Sequence, residues 1–127
     1  MATVLIVEDN PDNMKLIRTV LALRGHTIVG LPGGDGLLEA MRTARPDAIL
    51  LDIQLPGEDG FQLLARLRTS GETLPPVIAL TAHAMAGDRE RALAAGFDGY
   101  LTKPIEVSTF GGTVESLIGL GGQGGQG

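Results

Sequence analysis

Five short apolar runs, at residues 4–7, 27–31, 48–51, 77–80 and 100–102, recur along the chain with helically spaced segments between them. The runs are built from Val, Ile and Leu, the last being the weakest, and they lack the polar alternation of a half-solvated strand. Strands of that kind are buried on both faces, which is the condition of a parallel sheet sandwiched between helices. The intervening segments carry apolar residues at helical spacing: Met14, Ile17, Val20 and Leu21 in the first, Leu37, Leu38 and Met41 in the second, Phe61, Leu64 and Leu67 in the third. Strand and helix alternate, so the chain is expected to form five βα units in a doubly wound α/β domain with a five-stranded parallel sheet.

Punctuation between the runs supports this division. Gly25 follows Arg24 where the first helix should stop, Asp59 can cap the third helix, and Gly96 closes the alanine-rich segment 89–95. Gly33, Gly34 and Gly36 follow the second strand without a dinucleotide or nucleoside-triphosphate pattern, so they read as a loop or a helix start. The last helix, residues 107–118, is interrupted by Gly111 and Gly112, each costing about 1 kcal/mol relative to Ala in a helix interior. It is expected to be the least stable helix. Beyond Leu120 the run Gly-Gly-Gln-Gly-Gly-Gln-Gly has no side chain to bury. The expected organisation is therefore one domain over residues 1–120 and a flexible glycine-rich tail over 121–127.

A chain of 127 residues accommodates one such domain and one site. The net charge of −5 lacks the basic excess needed to grip a nucleic-acid backbone, so no nucleic-acid partner is expected for this chain alone. The absence of cysteine excludes disulfides, thiolate metal sites and thiol nucleophiles together. Residues 1–7 have neither the basic start nor the cleavage site of a signal peptide, and no apolar run reaches membrane-spanning length. A cytoplasmic protein without membrane contact is expected.

The polar residues are informative by position. Glu8 and Asp9 follow the first strand, Asp52 ends the third, Thr81 ends the fourth and Lys103 follows the fifth. All fall at the carboxyl ends of strands, where open parallel sheets bind ligands; a strand order of 2-1-3-4-5 would set strands one, three and four side by side there. Crowded carboxylates repel unless a cation lies between them. Oxygen-only ligands favour Mg²⁺, or Mn²⁺, with Asp9 and Asp52 as direct ligands and Glu8 acting through water. An aspartate at a metal beside a lysine and a hydroxyl suits phosphoryl transfer: Asp52 is placed as nucleophile, Lys103 to pair with one phosphoryl oxygen and Thr81 to donate to another. In isolation Glu8 and Asp9 could equally cap the first helix. His26 and His83 read as surface residues without a catalytic role, although His83, two residues past Thr81, stands at the rim of the crevice.

These residues resemble the receiver domains of two-component response regulators. Val-Leu-Ile-Val-Glu-Asp-Asn at 4–10, Leu-Asp-Ile-Gln-Leu-Pro-Gly-Glu-Asp-Gly at 51–60, Ala-Leu-Thr-Ala at 79–82 and Tyr-Leu-Thr-Lys-Pro at 100–104 are similar to the four motifs of that family, in order. The resemblance implies a flavodoxin-like (βα)5 fold and a phosphoryl donor that is a histidine kinase or histidine phosphotransfer protein. It also implies Asp52 as acceptor, the Gln54 main-chain carbonyl as a further Mg²⁺ ligand, and a cis bond between Lys103 and Pro104. It makes Thr81 and Tyr100 the switch residues, which alter the face of the fourth helix, fifth strand and fifth helix and so its binding of a downstream protein. The chain resembles both single-domain regulators and receivers of hybrid kinases.

A phosphohydrolase of the haloacid-dehalogenase type also places a nucleophilic aspartate at a strand end. Such enzymes want a second acid two residues later, and here that residue is Gln54, so the general acid for turnover is missing. A receiver-like domain that binds partners without phosphorylation would not need the acidic pair, Asp52, Thr81 and Lys103 together. The expectation is a signalling domain and not a turnover enzyme.

Overall fold

The computed structural model describes residues 2–82 and 86–119. Five strands, β1 (Thr3–Val7), β2 (Thr27–Leu31), β3 (Ala48–Asp52), β4 (Val77–Thr81) and β5 (Gly99–Thr102), alternate with five helices, α1 (Pro11–Leu23), α2 (Leu37–Ala44), α3 (Gly60–Thr69), α4 (Asp88–Ala95) and α5 (Val107–Leu117). The strands form one parallel sheet in the order β2-β1-β3-β4-β5. This is the doubly wound order the sequence predicts, and every predicted strand lies within one residue of an observed one.

Side-chain alternation along buried strands divides the core in two. Leu5, Val7, Ile49, Leu51, Val77 and Ala79 point to one face and pack with Leu37, Met41, Leu63, Leu64, Leu67 and Ala92, from α2, α3 and α4. Val4, Ile6, Ala48, Leu50, Ile78 and Leu80 point to the other and pack with Ile17, Val20 and Leu21 of α1 and Phe110 and Val114 of α5. The strands β3 and β4 are buried along their whole length, each fully buried Leu or Ile contributing about 1.5–3 kcal/mol. The edge strands β2 and β5 are only partly covered.

Local chemistry sets the helix ends. The Asn10 side chain accepts from the Asp12 and Asn13 N–H groups and caps α1, which frees Glu8 and Asp9 from the capping role open to them in the sequence. Asp59 and Gln62 form a reciprocal capping box on α3. Gly36 caps the start of α2, and Gly96, with φ of 110°, closes α4.

The helix α5 lies within the 107–118 expected of it and is continuous through Gly111 and Gly112. Gly111 is buried where α5 meets α1, and a Cβ there would fall 2.2 Å from Cδ of Arg24, so this glycine makes room for an arginine. His26 is buried, not superficial: its Nδ1 accepts from the Ala2 N–H at 3.0 Å, and its Nε2 lies 2.7 Å from Glu115. A nitrogen that accepts from an amide carries no proton, so the proton sits on Nε2 and is donated to Glu115. The Arg24 guanidinium also grips Glu115, through two 2.7 Å hydrogen bonds. Together they hold the Glu115 carboxyl down to about 2. His83 and the tail over 121–127 lie outside the described residues.

Candidate functional site

The parallel register brings the strand ends together. Val7 pairs with Leu51 across β1–β3, and Asp52 pairs with Leu80 across β3–β4, so Glu8, Asp52 and Thr81 emerge side by side. Beyond the last ladder pairs, the Ile53 N–H donates to the Leu80 carbonyl, and the Lys103 N–H donates to the Thr81 carbonyl at 2.8 Å. Lys103 is thereby fixed over the end of β4, and its peptide bond to Pro104 is cis.

The Lys103 ammonium reaches into the acidic pocket, donating to Asp52 Oδ2 at 2.8 Å and to Glu8 Oε1 at 3.0 Å. Glu8, Asp52 and Thr81 are buried, while Asp9 is exposed at the rim. The remaining oxygens of the buried carboxylates are also held: Glu8 Oε2 accepts from the Asn10 N–H at 3.0 Å, and Asp52 Oδ1 from the Gln54 N–H at 2.8 Å. Burial pushes the Glu8 carboxyl above the usual carboxylate range; the Asn10 N–H and Lys103 pull it back, and the charge of Asp52 adds to the rise. Burial alone would lower Lys103, but its hydrogen bonds to Asp52 and Glu8 outweigh this and hold it above its ordinary value.

Oxygens of Glu8, Asp9 and Asp52 lie within 4.8 Å of one another. Three carboxyl groups crowd one ammonium there, so acidic groups outnumber the cation that partners them. A hard divalent cation would neutralise that excess with the ligand type it prefers, so the residues present fit Mg²⁺.

On the other side of Asp52 stands Gln54. Its amide nitrogen donates to the Thr81 hydroxyl at 2.5 Å, and its amide oxygen accepts from the Ala82 N–H at 3.0 Å. In the sequence Gln54 stands out for its main-chain carbonyl and for the acid it replaces, and nothing in the local pattern signals this bridge to β4. Tyr100 lies on β5 with a buried hydroxyl that has no hydrogen-bond partner among the described residues. Burial of that hydroxyl, reinforced by the charges of Asp88 and Glu90, raises its pKa. A small cavity of about 130 Å³ beside Gln54 is lined by Ile53, Asp59, Phe61, Asp88 and Arg91. In its wall the Arg91 guanidinium stacks 4.3 Å over the Phe61 ring, which meets Phe97 edge-on.

Fold and site together define a doubly wound α/β domain with a lysine-bridged acidic pocket at the switch point of its strand order. The response regulator receiver domain family matches residues 4–115, and the chain belongs to that family. It is 42% identical over 118 residues to the polar-differentiation response regulator DivK of Brucella anthropi, covering 92% of this chain and 96% of that protein. It is 38% identical over 121 residues to the sensor protein GacS of Pseudomonas syringae pv. syringae, covering 92% of this chain but 13% of GacS. Among solved structures, the BeF3-activated receiver domain of Klebsiella pneumoniae RstA aligns with a TM-score of 0.81 at 28% identity, over 91% of this chain and 97% of that one. The chemotaxis protein CheY4 of Vibrio cholerae aligns with a TM-score of 0.82 at 26% identity, over 92% and 98% respectively. The chain is thus a receiver domain of two-component signalling. Among the described residues no helix is long and apolar enough to cross a membrane.

Proposed function

We propose that Asp52 accepts a phosphoryl group from the phosphohistidine of a histidine kinase or histidine phosphotransfer protein and holds it as a signal. The observation that carries this reading is the Lys103 ammonium seated on Asp52 inside a buried acidic pocket. One Asp52 carboxylate oxygen forms the new O–P bond as the N–P bond of the donor breaks, and the donor imidazole leaves with the bonding electron pair. Lys103 shifts from the carboxylate to a phosphoryl oxygen, and the Thr81 hydroxyl donates to a second. Asp9, Asp52 and the Gln54 main-chain carbonyl would hold Mg²⁺, with Glu8 acting through water. The cation supplies charge neutralisation for the phosphoryl oxygens and the crowded carboxylates.

Thr81 following the phosphoryl group and Tyr100 turning its ring are the proposed switch, changing how the face of α4, β5 and α5 binds a downstream protein. The lone buried hydroxyl of Tyr100 supports a side chain with a second resting place. Gln54 has no ionisable proton to offer as a general acid, which favours retention of the group over turnover. The domain is proposed to span residues 1–120, to carry its glycine-rich tail at 121–127 without chemistry, and to act in the cytoplasm.

The test is incubation with acetyl phosphate and Mg²⁺ followed by intact mass, comparing the native chain with Asp52→Asn. One added phosphoryl group on the native chain and none on the variant is expected. Equal modification of Asp52→Asn would remove Asp52 as acceptor, and steady turnover of varied phosphate esters would revive a phosphohydrolase.

A further inference from the structure

The Gln54 side chain bridges two groups at the end of β4, its amide oxygen accepting from the Ala82 N–H and its amide nitrogen donating to the Thr81 hydroxyl oxygen. Both groups stand beside Asp52, because Asp52 pairs with Leu80 and the next residues of β4 and its loop follow directly. A phosphoryl group on Asp52 brings three terminal oxygens into this space, each an acceptor in search of donors. The amide oxygen of Gln54 already occupies the Ala82 N–H, while its amide nitrogen, itself a donor, uses only a lone pair of the Thr81 hydroxyl.

We propose that the Gln54 amide oxygen is a latch that holds the Ala82 N–H in place of a phosphoryl oxygen in the resting domain and has to be displaced from it when Asp52 is loaded. This rests on Asp52 being the phosphoacceptor. The adjoining cavity is chemically suited to receive the released amide, since Asp59 and Asp88 offer carboxylate acceptors and Arg91 offers donors. Asp88 and Arg91 belong to α4, so release of the latch would place a new side chain against that helix. Gln54 is itself exposed, and moving it breaks no core packing.

Gln54→Met tests this, because Met keeps the length of the side chain, the main-chain carbonyl and the N–H that serves Asp52, while removing the amide oxygen that holds Ala82. Without any phosphoryl mimic, the Ala82 amide proton should exchange faster with solvent in the variant than in the native domain. With Mg²⁺ present, beryllofluoride should bind the variant about fivefold more tightly, since the hydrogen bond to Ala82 no longer has to be exchanged. Gln54→Ala should move both readouts in the same direction. Unchanged Ala82 exchange together with unchanged affinity would overturn the latch, and weaker binding would show that Gln54 supports the phosphoryl group instead of opposing it. A native domain that takes no beryllofluoride, or an Asp52→Asn variant that takes it equally well, would instead overturn the phosphoacceptor reading; the exchange of Ala82 in the resting domain reports on the latch in either case.

Discussion

The Lys103 ammonium lies 2.8 Å from Asp52 Oδ2, and the two residues are 51 positions apart in the chain. The same nitrogen reaches Glu8, 95 positions away, so a single cation ties the ends of β1, β3 and β5 together. Only 10% of the Lys103 side chain is exposed, and the Asp52 side chain is 2% exposed. Ion pairs this deep are rarely a source of net stability, because desolvation opposes the attraction, but breaking one leaves a buried charge unmatched. The arrangement is a preorganised charge pocket.

Replacing the cation should therefore be costly. Lys103→Met is expected to lower folding stability by about 3 kcal/mol at neutral pH, measured by urea denaturation. Because the folded-state pKa of Lys103 is raised above 10.5, its contribution is fully present below that pH and is lost as pH rises through the higher folded value. The gap between native and variant should thus close in strong alkali and persist from neutrality to pH 10.

Divalent cation should stabilise the native domain. At a Mg²⁺ concentration a hundredfold above its dissociation constant the gain is about 2.7 kcal/mol, read as a rise in melting temperature that chelator reverses. Glu8, with its carboxyl raised by burial, binds more protons folded than unfolded, so without metal stability declines as pH rises from 4.5 through the folded value. The Mg²⁺-dependent gain should be larger at pH 7.5 than at pH 5, and it should vanish when Asp9 and Asp52 are both changed to Asn.

Neighbouring glycines in α5 should respond with opposite signs. At Gly112 an added Cβ meets nothing within 4 Å, so Gly112→Ala should stabilise by up to about 1 kcal/mol through helix propensity. At Gly111 the same methyl collides with Arg24 and must drive it from Glu115, so Gly111→Ala should destabilise despite the same propensity gain. Thermal melts of the two single variants decide the matter.

The Glu115 carboxyl provides a pH signature on the opposite side of the domain. Its folded value of about 2 lies below the ordinary 4.5, so the stability it contributes is present above 4.5 and is lost as pH falls through about 2. Glu115→Gln should be less stable than the native chain at pH 6, with the difference shrinking steadily between pH 4.5 and pH 2 in denaturant titrations.

Legibility followed the range of the interactions. Strand and helix positions, the Asp59 cap and the glycine at the end of α4 depend on neighbours a few residues away, and periodicity reports those directly. The acidic pocket was readable because strand ends in a parallel sheet share one edge, so position in the pattern implies position in space. His26 was misread because its burial depends on Glu115, 89 residues away on α5, and no local pattern carries that contact. The reason for Gly111 was hidden in the same way: propensity registers the missing side chain, while Arg24, which fills the space, comes from the end of α1.

By itself the sequence determined the five βα units, the doubly wound class and the set of carboxylates, hydroxyl and ammonium gathered at one edge, because these follow from periodicity and from the handedness of parallel crossovers. Tertiary structure alone decided what each side chain does once there. It set Lys103 between Glu8 and Asp52, left Asp9 at the rim, and turned the Gln54 amide onto Thr81 and Ala82. Those choices rest on desolvation and hydrogen-bond geometry over distances of about 3 Å, and both take their values only when the strands are in register.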